Sequence, residues 1–170
     1  MKRPEKEEYD PYYEGYVSLV PDGNIVEIME RQSGELREIF AAIPDEKGPY
    51  AYAEGKWTIK ELLGHLIDGE RMFMYRIFRI SRGDETPIEG FEQDMYIENA
   101  RSNSRPFSDM VEEFAALRRA NVIACGHFSD EDWDRVGTAN QVKITPRALA
   151  YISVGHVTHH LRILKDRYLV

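Results

Sequence analysis

The chain has 170 residues, of which 42% are hydrophobic and 31% are charged, and its formal net charge is −8. This length suits one domain, and this balance of residue types is typical of a folded globular protein rather than a disordered one. The acidic net charge argues against nucleic acid as a partner, because binding to phosphates needs clustered lysine and arginine. No apolar run is long enough to cross a bilayer, and the N-terminal residues lack the apolar core of a signal peptide. These features predict a soluble, cytoplasmic protein without membrane contact.

Residues 1–20 are polar and then rich in tyrosine, which predicts an arm that packs onto the body formed by a single domain, residues 21–170. A first helix is expected after the turn at residues 21–24, because seven apolar residues follow the i, i+3, i+4 spacing of one helical face. These residues are Ile25, Ile28, Met29, Leu36, Ile39, Phe40 and Ile43. Pro44 ends the helix.

The second helix has the strongest start signal in the sequence. Thr58 and Glu61 form a capping box, and Gly83 provides a C-terminal stop. The connection that follows, residues 83–105, is too long for a simple antiparallel hairpin. We expect it to cross the end of the bundle or to carry a short helix around residues 91–97. Loops of this length often border a functional site.

A third helix is expected after Pro106 and a fourth from Thr145, with Pro146 in the first helical position. No alternating run of β-branched and aromatic residues predicts a strand. Four amphipathic helices in one domain predict an all-α protein, a four-helix bundle with a long crossover connection between the second and third helices.

Helical geometry separates the histidines of the fourth helix. At about 100° per residue, His156 and His160 fall near the middle of its apolar face, and His159 falls at the edge. Two imidazoles at positions i and i+4 can share one metal ion, although this spacing also arises by chance. In apolar surroundings their ring nitrogens need a partner, which is either a metal ion or a buried carboxylate.

His65 lies on the flank of the second helix, in one stripe with Gly69, Met72 and Arg76. A flank position suits a ligand that points into a groove between helices. Gly64 and Gly69 bracket this histidine, and each glycine inside a helix costs about 1 kcal/mol relative to alanine. Their presence is explained if a neighbouring helix or a substrate approaches closely. The pattern therefore predicts a three-histidine metal site, with ordinary core histidines as the alternative.

Two motifs resemble the signatures of a known family. Residues 57–71 (WTIKELLGHLIDGER) are similar to its first signature, and residues 155–160 (GHVTHH) to its second, H-x-x-H-H. Residues 82–87 and 90–94 also look like stretches common in one branch. By this resemblance, which runs from about Tyr9 to Tyr168, the chain is identified as a member of the DinB-like (DinB/YfiT) superfamily of metalloproteins.

The resemblance implies a four-helix bundle of DinB/YfiT type with an unusual connection order, and a homodimer. It also implies a divalent metal ion, most often nickel or zinc, held by His65, His156 and His160. His159 matches an extra histidine that is usually not a ligand. Val157 stands where many members have an acidic residue, which weakens the expectation of an acid–base role there.

Characterised members include transferases that use low-molecular-weight thiols and mycothiol-dependent isomerases. Three neutral histidines leave a metal its positive charge and an open position, where a water or a thiol loses its proton. The resemblance thus implies a metal-dependent transferase or hydrolase that acts on a small molecule through a low-molecular-weight thiol or water. The alternative is a non-catalytic metal- or ligand-binding domain linked to stress, and a third reading is an interaction protein without metal.

Two further residues are candidates for supporting roles. Asp68, beside the His65 stripe, can accept a hydrogen bond from a ligand imidazole, unless it is an ordinary solvated carboxylate. Arg76 can hold an anionic group of a thiol cofactor or a substrate, with a local ion pair as the alternative.

Overall fold

A computed structural model describes residues 2–169, which form a four-helix bundle as the sequence predicts. Within these residues the α-helices are α1 (Glu14–Val17), α2 (Ile25–Ala41), α3 (Ile59–Ser81), α4 (Gln93–Ala100), α5 (Phe107–Cys125), α6 (Asp130–Asp134) and α7 (Pro146–Ile163). The strands are β1 (Gly137–Ala139) and β2 (Val142–Ile144). Single turns of 3-10 helix lie at Lys6–Glu8, Pro11–Tyr13, Asp45–Lys47 and Ser102–Ser104, and a π-helical turn at Leu164–Tyr168 extends α7.

The order of the helices around the bundle differs from their order in the chain. Both α2 and α3 pack against α5 and α7, so the consecutive helices α2 and α3 occupy opposite corners. The connection from α3 to α5 carries α4, which confirms the short helix expected there. No helix in residues 2–169 is both long enough and apolar enough to cross a membrane.

The helices begin and end where the local sequence predicts. The Asn24 side chain accepts a hydrogen bond from the backbone of α2, and the Thr145 side chain does the same for α7. Thr58 and Glu61 form the expected capping box at the start of α3. Gly83 has a φ of +78°, the left-handed conformation in which glycine commonly terminates a helix.

The prediction that the chain contains no strand is wrong. Strands β1 and β2 pair as an antiparallel hairpin, and Ile88 of the long connection adds an isolated parallel bridge to β1. Each strand has three residues, too few to show an alternating pattern. The turn is Asn140-Gln141, with φ values of +49° and +67°, and it lacks the glycine that usually marks such hairpins.

Two apolar clusters fill the bundle and meet halfway along α3 and α7. The first cluster contains the buried apolar residues of α7 up to Val154, together with Tyr9, Val17 and Val20 of the N-terminal segment. The second cluster contains the buried apolar residues of α7 from Val157 onward and those of the first turns of α3. The boundary between the clusters is where polar side chains enter the interior.

Candidate metal centre

Three histidines converge at the boundary between the two apolar clusters. His65 comes from the second turn of α3, and His156 and His160 come from consecutive turns of α7. Their ring centroids are 4.6–4.8 Å apart, and one ring nitrogen from each lies within 4.8 Å of the others. The Nε2 atoms of His65 and His156 are 2.8 Å apart. We call these three residues the histidine triad.

Burial keeps the triad neutral. The three side chains are between 5% and 9% exposed. Desolvation lowers the pKa of His65 to about 4, although Asp94 partly opposes this shift, and it lowers the pKa of His160 to about 3. Desolvation also brings the pKa of His156 well below its ordinary value, and the neighbouring histidines add to the shift. At neutral pH each imidazole therefore has one unprotonated ring nitrogen, whose lone pair can bind a metal ion.

Aromatic rings hold the imidazoles in place. Trp57 packs on His65 at a centroid distance of 4.8 Å and stacks over His160 at 6.2 Å. Tyr16 and Phe73 present their edges to His156 at 5.6 and 5.5 Å. These contacts restrict the rotamers of the ligand side chains and shield them from water.

The remaining histidines lie outside the triad. His159 packs edge-on against Tyr16 and against the ring of His160, at centroid distances of 5.5 and 5.1 Å. His127 is exposed in the loop after α5. His159 is therefore not among the three residues whose ring nitrogens converge.

Two glycines of α3 allow close approaches around His65. A Cβ at Gly69 would lie 3.2 Å from Cε1 of His156, so the glycine leaves room for that ring. A Cβ at Gly64 would overlap the Ser102 hydroxyl, which belongs to the connection between α3 and α5. The close approach predicted from the sequence is therefore present at both positions.

A buried polar network that was not predicted from the sequence lies beside the triad. Glu70, directly after Gly69, pairs with Arg118 of α5 at 2.7 Å. Asn121 and Ser153 also donate hydrogen bonds to Glu70, and Arg118 donates a further one to Gln32 of α2. This buried polar network joins all four long helices. In the sequence the visible signal is that Gln32, Glu70 and Asn121 interrupt the apolar faces of α2, α3 and α5.

A cavity of about 330 Å³ opens from the triad along α3. Its lining residues come from the N-terminal segment, α3, the α3–α5 connection, the hairpin turn and α7. They are Tyr12, Tyr13, Tyr16, His65, Gly69, Met72, Phe73, Arg76, Gly90, Phe91, Glu92, Gln93, Asn140 and His156. The volume lies at the lower end of the range of about 300–1,000 Å³ that is usual for small-molecule sites.

The two supporting candidates occupy different places. Arg76 is buried and lines the cavity, on the same stripe as His65. Asp68 is half-buried near Arg71, Arg105 and Glu113, and burial raises its pKa. Among residues 2–169 Asp68 forms no hydrogen bond to a histidine, and Glu61 is engaged by the capping box and Asn103.

The stability of the metal-free protein should fall as the pH is lowered. In the unfolded chain these histidines take up protons near pH 6.5, whereas folded His65 does so only near 4 and folded His160 near 3. Unfolding therefore binds protons between pH 6.5 and about 4, and the free energy of unfolding drops by up to about 1.4 kcal/mol per pH unit for each histidine. Urea unfolding of chelator-treated protein at pH 7 and pH 5 measures this drop. His160→Gln should show a shallower dependence, and an unchanged one would contradict the assignment.

Sequence comparison links the chain to a protein family. The sequence profile of the DinB superfamily matches residues 28–164. A protein of Oceanobacillus iheyensis, named as a proposed metal-dependent hydrolase, is 22% identical over 140 residues, which cover 81% of this chain and 79% of that protein.

Structural comparison finds the same bundle in solved proteins. YfiT from Bacillus subtilis, described as a proposed metal-dependent hydrolase with an unusual four-helix bundle topology, has a TM-score of 0.76 and 16% identity, over 97% of this chain and 90% of its own. A mycothiol-dependent maleylpyruvate isomerase has a TM-score of 0.68 and 13% identity over 85% of this chain. The match spans 61% of the isomerase. At these identities the likeness shows the shared fold.

Proposed function

This chain belongs to the DinB superfamily, and we propose that it is a metal-dependent enzyme that transfers a group to, or hydrolyses, a small molecule. In this proposal His65, His156 and His160 hold one divalent ion, nickel or zinc. The observation that carries it is the convergence of three neutral, buried imidazoles, two of which, those of His65 and His156, line a cavity.

The donor set fits such an ion. Imidazole nitrogen is a common ligand of zinc and nickel, and three protein ligands are typical of catalytic rather than structural zinc sites. No carboxylate belongs to the triad, so the ligands would leave the ion its full positive charge. When bound, the ion would supply Lewis acidity, which turns a water or a thiol into a nucleophile near neutral pH.

The surrounding residues prepare the site for this chemistry. Burial holds the triad in the neutral form that a metal requires. Trp57 and Phe73 fix the orientation of the imidazoles, and Trp57, which is not among the lining residues of the cavity, covers His65 and His160. The cavity, which Phe73 and Gly69 line, leaves the site open to a small substrate.

The proposal has two candidates for the nucleophile, a water molecule and a low-molecular-weight thiol. The names of the Oceanobacillus protein and of YfiT refer to hydrolysis, which favours water. The name of the isomerase refers to mycothiol, which favours a low-molecular-weight thiol as the second reactant. We propose the thiol as the second candidate, because the cavity is large enough for a small molecule beside the triad.

Metal content tests the proposal directly. Purified protein reloaded with zinc or nickel should hold about one equivalent, and His160→Ala should bind the ion at least tenfold more weakly. His159→Ala is the matched control, because it removes the adjacent histidine outside the triad and should keep the ion. The measurement is elemental analysis together with competition against a chelator. Less than about 0.2 equivalents in the unmutated protein would overturn the metal site.

Activity separates an enzyme from a non-catalytic binding domain. Loaded protein is assayed for ester hydrolysis and for the consumption of electrophiles in the presence of a panel of low-molecular-weight thiols. Turnover should be present in the unmutated protein and in His159→Ala and absent from His160→Ala. Equal rates in all three proteins would remove the catalytic proposal and leave a binding domain.

A further inference from the structure

The cavity beside the triad contains one buried charge without a counter-charge. Arg76 lines the cavity and is 5% exposed. Among residues 2–169 its Nε has no hydrogen-bond partner, and Nη2 donates only a long bond, of 3.5 Å, to the carbonyl oxygen of Glu89. Burial lowers the pKa of Arg76, and the Tyr13 phenol opposes this shift.

Other buried arginines of the described residues are paired. Arg118 contacts Glu70, and Arg147 contacts both Glu8 and Asp134. A buried charge without such a partner is strongly unfavourable, so Arg76 needs an anion that residues 2–169 do not supply. The one acidic residue in the cavity lining, Glu92, is exposed and forms no ion pair with Arg76.

We propose that the cavity binds a small molecule that carries a carboxylate or phosphate group, and that this group pairs with Arg76. The proposal rests on the proposed function and narrows its substrate class to anions. A guanidinium suits both groups, because its planar donors form paired hydrogen bonds with their oxygens.

The position of Arg76 on α3 also sets the shape of the ligand. His65 and Arg76 are eleven residues apart on one stripe, which is about 16 Å along the helix axis. Arg76 and His65 both line the cavity, so a ligand paired with Arg76 reaches toward the triad along α3. The anionic group is therefore separated from the reacting atom by several bonds, and the body of the ligand lies across Gly69.

Glutarate and inorganic phosphate serve as probes, with neutral glutaramide as the uncharged analogue. Binding is measured by calorimetry to zinc-loaded and to chelator-treated protein. Arg76→Gln should weaken the binding of at least one anion by about tenfold or more in both forms, because a buried charge-assisted contact is lost. Arg119→Gln, which removes an exposed charge on α5, should change nothing. The preference between the two anions identifies the group as carboxylate or phosphate.

The result is independent of the metal site. Zinc content should be the same in Arg76→Gln and in the unmutated protein. If the unmutated protein binds no metal, the proposed function is contradicted. The role of Arg76 is still tested in that case, because anion binding is also measured with chelator-treated protein. Equal anion affinity in Arg76→Gln, or no anion binding by the unmutated protein, would overturn the inference. If the variant does not fold, the unmutated protein is modified with phenylglyoxal, which reacts with arginine side chains. Glutarate or phosphate should protect Arg76, and not Arg119, from this modification. A lack of protection counts against the proposal.

Discussion

Replacement of Arg118 by methionine is expected to lower the free energy of unfolding by about 3–5 kcal/mol at pH 7. Arg118 is fully buried, and its partner Glu70 is 3% exposed. Methionine replaces the aliphatic part of the arginine side chain, but it leaves the Glu70 carboxylate in the interior without a positive charge. Asn121 and Ser153 still donate hydrogen bonds to that carboxylate, and they do not neutralise it. Urea unfolding monitored by circular dichroism measures the loss.

A second substitution shows whether the unpaired charge is the cause. In Arg118→Met/Glu70→Gln the amide keeps acceptor oxygen for Asn121 and carries no charge, so the double variant should be more stable than Arg118→Met alone. Arg119→Met, at the exposed neighbouring position, should stay within about 0.5 kcal/mol of the unmutated protein. If the double variant were no more stable than the single one, lost packing rather than charge would explain the effect.

Gly155→Ala is expected to lower the free energy of unfolding by about 1–3 kcal/mol. A Cβ at this position in α7 would overlap the carbonyl group of Tyr16, and the obstacle is backbone, which cannot rotate away. Helix α1 must therefore move off α7. Because Tyr16 packs on His156 and lines the cavity, the same change should open that wall. Hydrogen exchange of the amides of α1 measures the displacement, and urea unfolding measures the stability.

Gly34→Ala is the matched control for this substitution. Gly34 lies within α2, and a Cβ there would meet nothing within 4 Å. Alanine should raise the free energy of unfolding by about 0.5–1 kcal/mol, since it has the higher helix propensity. A similar loss of stability in both variants would mean that glycine itself, rather than the contact with Tyr16, matters at position 155.

Local signals explain why the bundle and the triad could be predicted from the sequence. The caps at Thr58 and Thr145 depend on residues within the same turn, and the apolar stripe of each helix repeats within one element. His156 and His160 share a helical face, so their proximity follows from α-helical geometry alone. The spacing of residues on α3 predicts that His65 faces a groove between helices. The family resemblance implies that it shares one site with His156 and His160.

Features that depend on distant parts of the chain could not be predicted in this way. Glu70 and Arg118 are 48 positions apart, and nothing in either helix identifies the other as its partner. Trp57 precedes a helix cap and gives no indication that its ring covers two histidines. The three-residue strands are defined by their pairing, which a single strand does not reveal. Tyr12, Tyr13 and Tyr16 belong to a segment for which packing on the body or lining of a cleft could be expected, and the structure places them in the cavity wall.

The hairpin turn at Asn140 approaches the α3–α5 connection so closely that a Cβ at Gly90 would overlap the Asn140 side chain. The hairpin turn and the α3–α5 connection thus pack against each other at the rim of the cavity, whereas α3 and α7 position the triad. The shape of the cavity entrance therefore depends on segments that do not position the triad. Substitutions in the turn or the connection can reshape the entrance without disturbing the helices, so members of such a family can diverge in what they admit while they keep the same centre.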